Sequence, residues 1–510
     1  MEIIWSTVLT VWGWLLDHLL YLNLAFSIII IFFQRRDPRS VWTWLLALYF
    51  IPVFGIVFYL LFGQDMKKSR MFRVKEVSDR LNLPVKSQED IIRSDDMPEE
   101  MMDPMSRDFK SLIIYNLETS GSVLTVNNQV QIYTDGQAKF EALRNALRQA
   151  RRFIHIQYYI IKNDELFDSI VPILLDKVRE GVEVRILCDG MGGRFMPKKR
   201  WDQMRRAGIK VGVFFPPFLG WLNLRVNYRN HRKIVVVDGA AGFVGGFNIG
   251  REYISRDPKF GYWRDTHLEI KGEAAISLQI RFALDWNYVT GENLFKEIRY
   301  FGEEAEYARR RLNGRIHAVW PDPEHVSEMV CMQIITSGPD TREPHIRNNY
   351  LELFHKAKHH IYIQTPYFIP DDAIFSSLKI AALSGVDVRL MIPCKPDHPF
   401  VYWATCSYAG ELLDYGARVY VYENGFLHSK GIMVDGRVSC YGTANMDIRS
   451  FELNFEVNAT IYDEDVTGQL EEAFMNDLPH CREITREEYG DRNLWMRIKE
   501  QSSRLLSPLL

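Results

Sequence analysis

One short motif, His-x-Lys-x-x-x-x-Asp, occurs twice in this chain and carries most of the chemistry that the sequence offers. The first copy spans residues 231–238 and the second spans residues 428–435, and a glycine follows the aspartate in both. A single copy is weak evidence, because such patterns arise by chance in long chains. Two copies in matching surroundings indicate a duplicated half-site. Its six candidate catalytic residues are His231, Lys233, Asp238, His428, Lys430 and Asp435.

The spacing of histidine and lysine suits attack on a phosphodiester. Side chains two positions apart in a strand point to the same face, so each copy places an imidazole beside an ammonium. Two facing half-sites would supply lysines to neutralise the non-bridging oxygens, one histidine to attack phosphorus and one to protonate the leaving oxygen. The pattern predicts phosphoryl transfer through a phosphohistidine. We expect this reaction to need no metal or other cofactor, because the lysines neutralise the phosphate charge that a metal ion would otherwise neutralise.

Each half also supplies an amide and a carboxylate downstream of its motif. These four candidate substrate-binding or orienting residues are Asn248, Asn445, Asp265 and Glu456. We expect the amides to help bind phosphate. We expect the carboxylates to hold the histidine rings by accepting a hydrogen bond from the far ring nitrogen. Whether each carboxylate serves its own half or the other half stays open at this point.

The aspartates that end the two motifs lie too far along the chain to act beside the histidines. Four mostly apolar residues separate Lys233 from Asp238, and four separate Lys430 from Asp435. Each aspartate then stands immediately before a glycine. From the residues alone we expect both aspartates to be structural and to bind backbone groups or an arginine.

A long internal repeat must position these residues. From about residue 110 the pattern alternates strands and helices, which is typical of α/β units. Three segments of the first half match three of the second, namely 153–159 with 360–367, 181–187 with 385–391, and 208–213 with 416–421. The sequence therefore predicts two α/β repeats related by pseudo-twofold symmetry, which would bring the two half-sites to one point.

Two apolar runs precede the repeats, at residues 11–33 and 41–62, and a polar turn at 34–40 separates them. Their lengths and flanking aromatic residues predict a two-helix transmembrane hairpin. The segment 67–75 carries more basic residues than the turn, so the positive-inside rule places the chain's start and its catalytic body in the cytoplasm. A re-entrant hairpin and a buried core hairpin are the alternatives.

Composition limits the other function classes. The chain has 510 residues and a formal net charge of −3, which argues against a nucleic-acid partner. Its six cysteines are scattered and fit reduced thiols in a cytosolic body. The predicted divisions are a hairpin at 1–65, a juxtamembrane linker at 66–108, a first repeat at 109–300, a second repeat at 301–480 and a helical tail at 481–510.

At this point the chain resembles the phospholipase D superfamily and, within it, the bacterial cardiolipin synthases. The doubled motif, with its downstream asparagine and acidic residue, is the superfamily pattern. The segments Asn230-His-Arg-Lys233, Tyr262-Trp-Arg-Asp265, Gly442-Thr-Ala-Asn445 and 449–456 carry the closer likeness, together with the hairpin and the terminal segment 504–510. The likeness covers nearly the whole chain. It departs from the family pattern at Gly246, where that pattern often has serine.

The resemblance implies an activity and a location. Two phosphatidylglycerol molecules would give cardiolipin and glycerol, at a bacterial cell membrane that the protein crosses more than once. It implies His231 as nucleophile and His428 as acid and base, and it counts Asp238 and Asp435 among the active-site residues. Anionic membrane lipids would be further partners, and the oligomeric state stays open.

Three rival functions remain at this stage. A phospholipase D-type hydrolase would use the same residues with water as acceptor. A phosphodiesterase acting on nucleic acid fits poorly with the hairpin and the negative net charge. A non-enzymatic membrane scaffold fits poorly with two complete motifs.

Overall fold

The structure is a computed structural model that describes residues 17–33, 38–53, 55–56, 59, 107–216, 227–301, 329–505 and 507. The chain divides into two compact units, an N-terminal helical hairpin and a much larger α/β body. Most of the predicted linker at 66–108 lies outside the described residues, as do the first residues of the first apolar run. The described part of the linker, residues 107 and 108, is helical.

The two apolar runs form helices α1 (Leu19–Phe33) and α2 (Pro38–Phe50). They pack through a small cluster that includes Ile30, Trp44 and Leu48. The buried Asn23 side chain donates from Nδ2 to the carbonyl of Leu48 at 2.9 Å, which links the two helices by a hydrogen bond. None of the described helices combines the length and the apolar character needed to cross a membrane.

Strands and helices alternate through the body. Its strands are β1 (Leu124–Thr125), β2 (Asn128–Asp135), β3 (Phe153–Tyr158), β4 (Glu183–Asp189), β5 (Lys210–Phe214), β6 (Arg229–Asn230), β7 (Ile234–Val237), β8 (Ala241–Gly245), β9 (Trp263–Gly272), β10 (Cys331–Ser337), β11 (His360–Gln364), β12 (Phe368–Ile369), β13 (Asp387–Pro393), β14 (Arg418–Tyr422), β15 (Phe426–Leu427), β16 (Gly431–Val434), β17 (Val438–Gly442), β18 (Met446–Asp447), β19 (Asn454–Tyr462) and β20 (Cys481–Ile484). Its helices are α3 (Lys110–Ser120), α4 (Gly136–Gln149), α5 (Glu165–Arg179), α6 (Lys198–Arg206), α7 (Glu273–Thr290), α8 (His345–Lys356), α9 (Asp372–Leu383), α10 (Pro399–Leu412), α11 (Ile448–Glu452), α12 (Glu464–Asp477), α13 (Arg486–Gly490) and α14 (Leu494–Leu505).

Two large sheets contain nearly all of these strands. The first follows the order β15-β9-β8-β7-β3-β4-β5, with β2 also paired to β9. The second follows the order β1-β10-β19-β17-β16-β11-β13-β14-β20, with β6 also paired to β19. The run β9-β8-β7-β3-β4-β5 of the first sheet corresponds strand for strand to β19-β17-β16-β11-β13-β14 of the second. This equivalence confirms the predicted pair of α/β repeats.

The two sheets share one apolar core. Ile234 and Val244 of the first sheet belong to the same buried cluster as Met433 and Val457 of the second. Burying apolar surface in this way stabilises the contact by roughly 25 cal/mol per Å². The packing therefore holds the two repeats against each other and fixes the geometry of whatever lies between them.

Two short strands cross from one repeat into the sheet of the other. Strand β6, just before His231, pairs in parallel with β19, and β15, just before His428, pairs in parallel with β9. The backbone N–H of His231 then donates to the carbonyl of Phe455 at 3.0 Å. The N–H of His428 donates to the carbonyl of Arg264 at 2.7 Å. Each motif histidine therefore lies beside the strand that carries the acidic residue of the opposite repeat.

The ends of the body differ from the simple predicted layout. Helix α3 and strand β1 lie against the second sheet, where β1 pairs with β10 and the Asn116 amide donates to Asn349 Oδ1 at 2.9 Å. The predicted helical tail begins with β20, which pairs with β14 at the edge of the second sheet. The boundaries of the five predicted divisions stay predictions.

Candidate active site

The two histidines are held by carboxylates that come from the opposite repeats. His231 Nδ1 lies 2.9 and 3.0 Å from the two carboxylate oxygens of Glu456. His428 Nδ1 lies 2.6 Å from Asp265 Oδ2. Both carboxylates are fully buried. A ring that donates from Nδ1 has its lone pair at Nε2, so each carboxylate prepares the other nitrogen for chemistry.

Both motif lysines donate hydrogen bonds to the backbone of their own motif. Lys233 Nζ donates to the carbonyl of His231 at 2.7 Å, and Lys430 Nζ donates to the carbonyl of His428. Lys430 Nζ also lies 2.8 Å from His428 Nδ1. His428 Nδ1 carries the proton that it donates to Asp265, so it cannot also accept a hydrogen bond from Lys430. The lysine therefore affects the imidazole through its positive charge.

Burial strongly perturbs the basic groups. It lowers the pKa of Lys233 to about 7 and that of Lys430 to about 8. Burial also lowers the pKa of His231, and together with the charge of Lys430 it lowers the pKa of His428 to about 4. Both imidazoles are therefore neutral at pH 7 in the free protein, as a nucleophilic nitrogen must be.

The two orienting carboxylates remain ionised. Burial raises the pKa of Asp265, but the positive charge of Lys430 and the hydrogen bond from His428 outweigh this effect, and the net pKa lies below the usual value. Burial raises the pKa of Glu456 in the same way, and the proximity of His231 outweighs it. Each imidazole therefore faces a full negative charge.

The surroundings of the two carboxylates are not identical. Thr443 Oγ1 donates to Glu456 Oε2 at 2.5 Å. At the equivalent position in the first repeat, a Cβ atom on Gly246 would lie 1.9 Å from Asp265 Oδ1. The departure from the family pattern at Gly246 therefore has a physical reason, because a side chain there would displace the carboxylate.

The histidine rings also have different neighbours. The ring of Tyr159 lies 5.0 Å from that of His231, and Trp263 lies 5.0 Å from His428. Tyr253 is a further neighbour of His428, with ring centroids 6.4 Å apart. Sequence reasoning did not identify these aromatic residues. Two signals were available, namely the position of Tyr159 at the end of the repeated segment 153–159 and that of Trp263 in the segment 262–265.

The asparagines predicted to bind phosphate have protein partners. Asn248 Oδ1 accepts from the N–H of Ile160 at 3.1 Å, and its Nδ2 donates to the Tyr253 hydroxyl at 3.1 Å. Asn445 Nδ2 lies 3.4 Å from Asp447 Oδ2. The Oδ1 atom of Asn445 is buried without a hydrogen bond within the described part of the chain. Both side chains brace the loops around the histidines in this state.

The two motif aspartates lie away from the histidines, at the far ends of β7 and β16. Asp238 accepts from the backbone N–H groups of Arg151, Arg152 and Phe153 at 2.7, 2.7 and 2.8 Å. Asp435 accepts in the same manner from residues 358–360 at 2.7, 2.8 and 2.8 Å. The structure does not bring them to the His–Lys pairs, and their contacts agree with the structural role inferred from the residues alone.

Comparison with known proteins gives the family. A family model described as "Cardiolipin synthase, PLD-like domain" matches residues 143–266 and 350–478, and one described as "Phospholipase_D-nuclease N-terminal" matches residues 22–64. The major cardiolipin synthase of Bacillus subtilis is 45% identical over 506 residues, covering 97% of this chain and 99% of that protein. The chain belongs to the cardiolipin synthase family.

Other relatives agree with this membership. A cardiolipin synthase of Staphylococcus aureus is 46% identical, covering 96% of this chain and 95% of the relative. A cardiolipin synthase of Oceanobacillus iheyensis is 44% identical, covering 96% of this chain and 97% of that protein. Among solved structures, a phosphatidylserine synthase of Haemophilus influenzae has a TM-score of 0.58 at 16% identity, covering 80% of this chain and 98% of that one. That likeness concerns the fold.

The contacts of Asp238 predict a stability role without a catalytic one. We expect Asp238→Ala to lower the free energy of unfolding by about 2–4 kcal/mol, because three charge-assisted hydrogen bonds are lost and alanine tolerates the φ of 56° less well. Asp238→Asn should cost less, and turnover measured well below the melting temperature should persist in both. Loss of turnover with an unchanged melting temperature would show that the aspartate acts in catalysis.

The lowered lysine pKa values predict that activity begins to fall at a lower pH than ordinary lysines would give. The protonated lysines are the form that binds a phosphodiester anion, and kcat/KM reports the free enzyme. We therefore expect kcat/KM for a phospholipid donor to fall as the pH rises through 7 to 8, where Lys233 and Lys430 lose their protons. Constant values up to about pH 10, as unperturbed lysines would give, contradict this interpretation.

Proposed function

We propose that the chain makes cardiolipin by phosphatidyl transfer between two phosphatidylglycerol molecules, releasing glycerol. The observation that carries the proposal is the pair of crossed imidazole–carboxylate contacts, found in a chain that matches cardiolipin synthases over nearly its full length. Such a pair provides one neutral nucleophile and one acid–base group, one from each repeat. It suits a two-step transfer better than a single displacement.

The first step forms a covalent phosphatidyl-enzyme. His231 Nε2 attacks the phosphorus of the donor while Glu456 holds the proton at Nδ1. The P–O bond to the headgroup glycerol breaks, and a protonated His428 gives its Nε2 proton to the departing oxygen. The donor anion supplies the negative charge that favours this protonated state, since it opposes the effect of Lys430.

The second step transfers the phosphatidyl group to the acceptor. His428 takes the proton of a free hydroxyl of the second phosphatidylglycerol, and that oxygen attacks the phosphorus. The P–N bond breaks and His231 returns as a neutral imidazole. Lys233 and Lys430 neutralise the non-bridging oxygens in both steps. Asn248 and Asn445 support the loops around the phosphate. Asp265 orients the imidazole of His428, the acid–base group.

A donor with a good leaving group separates the roles of the histidines. Phosphatidyl-p-nitrophenol needs little protonation to leave, so His428→Asn should release a stoichiometric burst of nitrophenol and retain the lipid on the protein. The second step then stalls, because the acceptor hydroxyl has no base. His231→Asn should give no burst.

The outcome of this experiment has two informative alternatives. A burst from His231→Asn and none from His428→Asn would reverse the assigned order. In the wild type with phosphatidylglycerol, release of phosphatidic acid in place of cardiolipin would favour the hydrolase. Arg205→Gln is a suitable control, because this exposed arginine pairs with Asp202 at the protein surface.

We also propose that the hairpin crosses the cell membrane, with the body on the cytoplasmic side. The support is the family match at residues 22–64 and the exposed apolar surface of both helices. Leu20, Phe32 and Phe50 are 70%, 75% and 80% exposed, as side chains that face lipid would be. The basic segment at 67–75 favours the cytoplasmic orientation.

Labelling of single introduced cysteines tests this topology. In intact cells, a membrane-impermeant maleimide should label Ser40→Cys in the predicted turn. It should label Ser376→Cys, on an exposed position of α9, only after the cells are permeabilised. The unmodified chain serves as the control for its six native cysteines. If Ser40→Cys also requires permeabilisation, the hairpin is re-entrant and does not span.

A further inference from the structure

The last helix of the body presents an apolar face to the outside. On α14, Leu494, Trp495, Ile498 and Leu505 are 73%, 63%, 45% and 78% exposed. At 3.6 residues per turn these four positions project within an arc of about 100°. The opposite side of the helix is polar and buried, at Glu500 and Ser503. Helix α14 is thus amphipathic with its apolar side turned away from the body.

Helix α14 packs along α10, and the two helices run in the same direction. Lys499 Nζ lies 5.0 Å from the ring of Trp403, and five positions further on, Arg504 pairs with Glu411 at 2.6 Å. Contacts therefore advance together along both helices. Lys499 Nζ also lies 5.5 Å from the ring of Trp495, so the beginning of α14 lies near Trp403, in the second turn of α10.

The beginning of α10 lies beside the candidate active site. Asp397, two residues before the helix starts, accepts a hydrogen bond from the Tyr367 hydroxyl. Tyr367 directly precedes β12, where Phe368 pairs with Met446, the residue after Asn445. The N–H of Phe368 also donates to Thr405 Oγ1 of α10 at 3.0 Å. Phe400, in the first turn of α10, is 58% exposed. We call Phe400, Leu494, Trp495, Ile498 and Leu505 together the apolar strip.

The charges around the apolar strip fit an anionic surface. The basic residues of α14 are Arg497, Lys499 and Arg504, and Arg497 is exposed. The only acidic residue of this helix, Glu500, is buried and pairs with Arg492. An exposed apolar face flanked by basic side chains, with a tryptophan at its end, is the pattern of helices that lie in the headgroup region of anionic membranes.

We propose that the apolar strip inserts into the headgroup region of the membrane that supplies the substrates, and that it holds the mouth of the active site against anionic lipid. This inference rests on the proposed function in taking phospholipids as substrates. Its physical benefit is that a donor reaches the lysines without leaving the bilayer completely. The hairpin keeps the protein at the membrane, whereas the apolar strip sets the orientation of the body.

The test compares two donors with the full chain. The variant Leu494→Ser/Trp495→Ser/Ile498→Ser should lose at least about tenfold of the activity on long-chain phosphatidylglycerol in vesicles, which corresponds to about 1.4 kcal/mol. It should retain the activity on short-chain phosphatidylglycerol dissolved as monomers. A matched control is Ile380→Ser/Leu383→Ser, because these side chains of α9 are 64% and 68% exposed. The control should behave as the wild type.

Three results would overturn the inference. Unchanged vesicle activity in the triple variant is the first, and an equal loss on both donors, as a folding defect would give, is the second. The third is a change from dimer to monomer, which would make the apolar strip a contact between two copies. Wild-type protein that forms no cardiolipin from either donor would instead refute the proposed function.

A second measurement does not depend on activity. The fluorescence of Trp495, obtained as the difference between wild type and Trp495→Phe in vesicles, should be quenched by lipids brominated on the acyl chain near the headgroup. The quenching should increase with the fraction of anionic lipid. Absence of quenching would contradict insertion of the apolar strip.

Discussion

The contact between each imidazole and a buried carboxylate of the opposite repeat is the constraint on which the site depends. Glu456 and Asp265 are fully buried, and each lies within hydrogen-bond distance of Nδ1 on the other repeat's histidine. Neither repeat alone contains a complete His–carboxylate pair. The two halves must therefore associate in one register before either ring has a defined tautomer.

The fold provides this register through backbone pairing. The two-residue strands β6 and β15 extend the sheet of the opposite repeat, and the histidine follows each of them directly. The apolar core between the sheets then holds the arrangement. Two lysines, two histidines and two carboxylates crowded into this interior carry a cost in stability, since burial lowers the pKa of both lysines. The same burial keeps the histidines neutral and leaves the lysines available for a phosphate anion. We therefore interpret the loss of stability as a requirement of the site.

The sequence alone predicted the doubled His–Lys motif, the paired α/β repeats and the two carboxylates. Periodicity can do this because residue spacing along a strand fixes which side chains share a face. It could not predict which half each carboxylate serves, because that depends on how β6 and β15 pair across the chain. Nor could it predict that Asn248 would bind the Ile160 backbone, or that β20 would extend the second sheet. Those contacts join residues far apart in the sequence, and no local pattern marks them.

The crossed pairing can be measured directly by nitrogen NMR of the ¹⁵N-labelled histidines in the full chain. At pH 7 we expect His231 and His428 to be neutral with the proton on Nδ1. Glu456→Gln should then shift the ring signals of His231 and leave those of His428 in place, whereas Asp265→Asn should do the reverse. If each substitution instead perturbs the histidine of its own repeat, or if both rings carry the proton on Nε2, the account of the site is wrong.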